Sequence, residues 1–150
     1  MKATNENPLW NNPRLEELTS WDASWAGLRV VVAGLGVSGF AAADTLIELG
    51  ARVVVVDGND SEANQQKAET LKIVGATDVL LGATFMDSLP QVEGDDPELV
   101  VTSPGLRPTL GLLADAVEKK IQIWGDVELA WRLNRREGHA TPQWLCITGT

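Results

Sequence analysis

The chain has 150 residues, 44% hydrophobic and 22% charged, with a formal net charge of −9. That balance fits one ordinary globular domain and lies far from disordered or membrane composition, and the surplus of acid excludes a nucleic-acid partner, whose binding rests on basic patches and counterion release. No apolar run approaches a membrane span and the polar start Met1-Lys2-Ala3-Thr4-Asn5-Glu6-Asn7 has no signal-peptide apolar region, so the expected setting is cytoplasmic, without membrane insertion.

Residues 1–27 form an irregular lead-in rich in Trp and Asn, with a short helix expected over 13–18 and no chemistry assigned to it. From there the pattern alternates. Strands are expected at 28–33, 52–57, 78–82, 98–102 and 120–124, and helices at 38–49, 61–74, 109–119 and 126–136. Such alternation predicts an α/β fold, a Rossmann-like doubly wound parallel sheet in a single domain. The strand centres at 30–32 and 53–56 are apolar without period-two gaps, as required when helices cover both faces. The acidic, turn-rich stretch 87–97 reads as a solvated connection, and 134–142, broken by charge, Gly and Pro, as a linker after which a new strand begins.

The run 28–39 delivers a strand into Gly34-Leu35-Gly36-Val37-Ser38-Gly39 and then a helix. In a G-x-G-x-x-G turn the first glycine allows the tight turn, the second lets the backbone approach a diphosphate, and the third lets helix and strand pack closely. The helix start adds N–H groups without partners and the positive end of its dipole. Asp57 ends the next strand near the roughly 20-residue offset at which such folds place a ribose-binding acid, with a cap on the next element as the plainer alternative. Ligands of doubly wound sheets lie outside the carboxyl ends of the strands, and those ends here read Gly34–Gly39, Asp57-Gly58-Asn59-Asp60, Thr102-Ser103-Pro104-Gly105-Leu106-Arg107 and Gly125-Asp126. Ser103-Pro104-Gly105 also suits a plain β-turn, and Asp126 suits a helix N-cap. With so acidic a chain, an anionic ligand must be held by local devices.

Other groups carry no chemistry. His139 sits in the linker without metal or catalytic spacing, the six tryptophans show no binding stripe and read as packing residues, and the single Cys146, inside Trp144-Leu145-Cys146-Ile147, reads as core filler. No catalytic residue and no metal ligand is assigned.

In order and spacing, Gly34-Leu35-Gly36-Val37-Ser38-Gly39, Thr102-Ser103-Pro104-Gly105-Leu106, Gly125-Asp126-Val127-Glu128-Leu129 and Ile147-Thr148-Gly149-Thr150 resemble the amino-terminal region of the UDP-N-acetylmuramoyl-L-alanine:D-glutamate ligases, Mur ligases of bacterial peptidoglycan synthesis. The resemblance implies a domain over 28–136 that binds a UDP-sugar instead of NAD, with Gly36, Val37, Ser38 and Gly39 at the diphosphate, Asp57, Gly58 and Asn59 at the uracil end, and Ser103, Pro104 and Gly105 along the ribose and sugar-phosphate path. Some relatives carry Thr and Arg after the acid where this chain has Gly58 and Asn59, which supply no cation. The resemblance further implies that 137–150 is a linker plus the first strand of a truncated central domain, with Thr148, Gly149 and Thr150 opening an incomplete ATP phosphate loop. ATP, Mg2+ and D-glutamate then belong to the full-length enzyme, and none is expected bound to this chain, which is expected to be inactive alone. From a different class, the glycine triplet and Asp57 also suit an NAD-binding module of a dehydrogenase or regulatory protein.

Overall fold

A computed structural model describes residues 12–149. The elements run α1 (Pro13–Glu16), β1 (Arg29–Ala33), α2 (Val37–Glu48), β2 (Arg52–Asp57), α3 (Glu62–Val74), β3 (Asp78–Leu81), a 3-10 turn (Ala83–Met86), β4 (Leu99–Thr102), α4 (Gly111–Glu118), β5 (Gln122–Gly125) and α5 (Asp126–Leu133). All five strands are parallel in the order β3-β2-β1-β4-β5. The chain moves outward from β1 in one direction through β2 and β3, then returns to β1's other side for β4 and β5. That reversal opens a crevice at the carboxyl ends of β1 and β4.

The valine runs satisfy both faces at once. Val30, Val32, Val53, Val55 and Val101 pack under α2, α3 and α5, while Val31, Val54, Val56 and Val100 pack under α4 and the 3-10 turn. α3 is punctuated at both ends by its own sequence: the Ser61 hydroxyl accepts from the Asn64 N–H, and Gly75, at φ 118°, closes the C-terminus in the left-handed conformation.

Two expectations are corrected, and the lead-in gains a role that the sequence had left open. The stretch 87–97 is not simply solvated, because Leu89 and Val92 are buried against the second face of the sheet, where they do the covering a crossover helix would do. The lead-in belongs to the core: Leu15, Leu18 and Trp25 are fully buried, each worth about 1.5–3 kcal/mol for an apolar side chain of that size. Arg132 ties it down, donating to the Leu15 and Leu18 carbonyls at 2.9 and 3.2 Å while its guanidinium lies 4.0 Å over the Trp124 ring, itself edge-on to Trp25. Finally, residues 140–149 form no strand, and Trp144, Leu145, Cys146 and Ile147 are exposed. A strand exists only through its ladder partners, and this segment has none among the described residues, so Cys146 is not core filler. Trp131 is likewise exposed, and Trp10 lies outside the described residues.

Candidate functional site

The β1–α2 turn lies at the crevice. Gly34 adopts φ 99°, and a Cβ there would come within 2.7 Å of the Ser103 hydroxyl. A Cβ on Gly39 would overlap the Gly34 carbonyl oxygen, so this glycine is what allows α2 to start directly against β1. Gly36 differs from both. Its backbone is ordinary extended chain (φ −71°, ψ −166°), and a Cβ there would meet nothing within 4 Å, so its lack of a side chain matters only to something approaching from outside.

Gly36 is the N-cap of α2, and no side chain caps this helix. The leading N–H groups of a helix have no intrahelical acceptor. Those of residues 36–38 therefore face outward from an exposed turn, Val37 being 89% exposed, with the positive end of a 12-residue helix behind them. This is anion-binding geometry.

The β2 end supports the turn. Asp57 accepts from the Leu35 N–H at 2.6 Å with one carboxylate oxygen and from the Asn59 N–H at 2.8 Å with the other. The acid thus clamps both loops, and Gly58 and Asn59 lie exposed beside it. Lys67 on α3, which the sequence reading passed over, donates to the Leu35 carbonyl at 3.0 Å. A lysine on an amphipathic helix carries no spacing signal that would mark it.

On the β4 side, Ser103 turns inward. Its hydroxyl is buried beneath the turn near Gly34 and Gly39, without a hydrogen-bond partner among the described residues, while Pro104 and Gly105 are exposed at the rim. Asp126 is the first residue of α5 rather than its cap: Gly125 holds the cap position, and the Asp126 carboxylate accepts from the Val127 N–H at 3.0 Å. Between α2 and α5 lies a cleft of about 260 Å³, lined by Ser38, Ala42, Thr45, Asp126, Leu129 and Leu133, below the range of ordinary small-molecule sites. Ser38 joins this cleft to the turn at the crevice.

The expected phosphate loop has no cradle in this structure. Thr148 and Gly149 are exposed and belong to no helix or strand, and Thr150 lies outside the described residues. His139 is exposed, as read from sequence. Among the described residues no group of three or more His, Cys, Asp or Glu is arranged to hold a metal ion, and no helix is long and apolar enough to cross a membrane.

The sequence model for the family described as Mur ligase MurD-like, N-terminal domain, matches residues 28–125. A UDP-N-acetylmuramoylalanine–D-glutamate ligase of Leifsonia xyli subsp. xyli (strain CTCB07) is 46% identical over 142 residues, covering 91% of this chain and 27% of its own. Enzymes of the same name from Frankia casuarinae and Streptomyces coelicolor are 51% and 47% identical, with 85% of this chain covered in each case and 24% and 26% of theirs. The chain therefore spans about a quarter of the length of the curated relatives it matches. Among solved structures, ligand-free 5-ketofructose reductase of Gluconobacter sp. strain CHM43 is 19% identical at a TM-score of 0.45, over 74% of this chain and 49% of its own, a likeness too weak to speak to function.

Proposed function

This chain belongs to the Mur ligase MurD-like N-terminal domain family, and we propose that it holds the uridine diphosphate end of UDP-N-acetylmuramoyl-L-alanine for a cytoplasmic, ATP-dependent, ADP-forming ligase that adds D-glutamate in peptidoglycan synthesis. The observation that carries this reading is the uncapped start of α2 at the crevice between β1 and β4, with Gly36 open to an approaching group. The N–H groups of Gly36, Val37 and Ser38 take the diphosphate. Gly39 brings the helix close enough for them to do so. Asp57, Gly58 and Asn59 border the uracil end, and Pro104 and Gly105 border the ribose and sugar-phosphate path, with Ser103 supporting the turn from below.

ATP and Mg2+ are bound by the full-length ligase, where Thr148, Gly149 and Thr150 open the phosphate loop. No catalytic step falls to this chain. Purified alone, it neither hydrolyses ATP nor releases phosphate in the presence of substrate and D-glutamate.

An NAD-binding module is the competing reading. In dinucleotide sites the acid at the end of the second strand accepts the ribose hydroxyls. Here Asp57 holds the turn through the Leu35 and Asn59 N–H groups, which leaves each oxygen a further lone pair, so geometry alone does not separate the two readings. Thermal unfolding separates the two. UDP-N-acetylmuramoyl-L-alanine at ten times its dissociation constant stabilises the chain by about 1.4 kcal/mol. The midpoint then rises by roughly 3–6 °C. Equal or greater protection by NAD overturns the assignment.

A further inference from the structure

Within the described residues, six of the basic side chains sit in ion pairs: Arg14 and Arg29 with Glu98, Arg52 with Glu93, Lys72 with Asp78, Lys119 with Asp96 and Arg132 with Glu128. All lie toward the ends where the strands begin or the helices finish. Lys67 is different. It stands one turn into α3, and a helical side chain leans toward its helix N-terminus, here toward the carboxyl edge of the sheet. Its ammonium is half-buried and bonds a neutral acceptor, the Leu35 carbonyl, at 3.0 Å.

The choice of that carbonyl has a geometric result. In a trans peptide the C=O of one residue and the N–H of the next point in opposite directions, and no described peptide here is cis. Holding the Leu35 oxygen toward α3 therefore aims the Gly36 N–H away from α3, out of the exposed face of the turn. The preceding peptide is held as well, its Leu35 N–H bonded to Asp57 at 2.6 Å. Two consecutive peptide planes of the turn are thus set by side chains of a single β2–α3 unit. The Leu35 side chain, fully buried, anchors the point between them.

We propose that Lys67 is a positioning residue for anion binding. Its hydrogen bond to the Leu35 carbonyl presets the Gly36 N–H for a phosphate oxygen, and its charge, in no ion pair among the described residues, adds positive potential behind the turn of a chain whose net charge is −9. The inference rests on the reading that this turn takes a nucleoside diphosphate. It adds a residue from outside the turn and assigns it to the phosphates rather than to the base.

The test is a nuclear magnetic resonance titration of the 150-residue chain with UDP and, separately, uridine, following the amides of residues 36–38. K67M weakens UDP binding about tenfold, the scale of one charge-assisted hydrogen bond. It leaves uridine binding unchanged, and K67R restores most of the UDP affinity because a guanidinium can still donate to the carbonyl. Thermal unfolding without ligand reports whether K67M is folded, and K67Q takes its place if it is not. Unchanged UDP affinity in the folded variant, or equal losses for UDP and uridine, overturns the proposal while leaving the nucleotide site standing. Failure of the unsubstituted chain to bind UDP defeats the proposed function, and this inference with it.

Discussion

The two edges of the parallel sheet are built on opposite plans. At the amino edge, Glu98 accepts from Arg14 and from the Arg29 backbone N–H, and Lys119 reaches Asp96 at 2.8 Å. Trp21 and Asp22 of the lead-in hold the chain beyond α5 through the Arg135 carbonyl and the Glu137 N–H. Polar groups there are answered by the protein. At the carboxyl edge, the N-terminus of α2 is uncapped, Gly36 and Gly105 stand in open space, and Lys67 and Asp57 spend their charge on the backbone of the turn. The lesson is a division of labour within one sheet: partners that answer each other give stability, and the groups left open are those of the proposed site.

That division predicts which variants lose folding and which lose binding. The largest effect belongs to Gly39→Ala, whose methyl overlaps the Gly34 carbonyl and must push α2 off β1. An overpacked contact of this kind costs about 3 kcal/mol, seen as a lower urea midpoint at unchanged slope. Arg132→Met follows at about 2 kcal/mol, since the Leu15 and Leu18 carbonyls lose their donor and Trp124 its cation. UDP affinity in the folded R132M protein stays at the unsubstituted value. A loss of binding there would mean the two edges are coupled.

Gly36→Val sharpens the contrast from the other side. The added side chain has room in the free protein, so the unfolding midpoint is largely kept, while UDP-sugar affinity falls at least tenfold, about 1.4 kcal/mol. Unchanged calorimetric affinity in this variant would show the turn to be purely structural. Glu98→Gln lowers stability by about 1 kcal/mol without touching affinity, because two arginines lose a shared, mostly buried carboxylate. The smallest effect concerns Lys119, whose pKa is raised above 10.5 chiefly by its hydrogen bond to Asp96. A raised cation stabilises the fold below its ordinary pKa and loses that contribution as pH climbs through the raised value. Comparing unfolding midpoints of the unsubstituted chain and K119M above pH 10.5 should show a slightly steeper alkaline decline in the former.

Much of the candidate site's geometry was legible because each part of it is local. Glycine spacing located the turn, and the structure adds why Gly34 and Gly39 must be glycine: their neighbours are Ser103 and the Gly34 carbonyl itself. Lys67 was invisible because its partner lies 32 residues earlier in the chain, across two elements. The acidity of 87–97 hid the apolar pair Leu89 and Val92, which follow no regular period. The part the lead-in plays in the core was left open by the sequence for a similar reason. Leu15 and Leu18 have the three-residue spacing of the helix expected over 13–18, but nothing local says that they and Trp25 join the core that Leu129 of α5 also fills.

By itself, then, the sequence determined what repeats or punctuates: the continuous valine strands that demand cover on both faces, the alternation that makes the sheet parallel, and the glycine turn that starts α2 directly against β1. These are consequences of backbone periodicity and of φ, which act over a few residues. Tertiary structure alone decided the strand order that puts the crevice between β1 and β4, the pairing of six cations away from it, and the reach of Lys67 and Asp57 to adjacent peptides of one turn. Such contacts join residues far apart in the chain, and no short-range pattern encodes which distant group a charged side chain will meet.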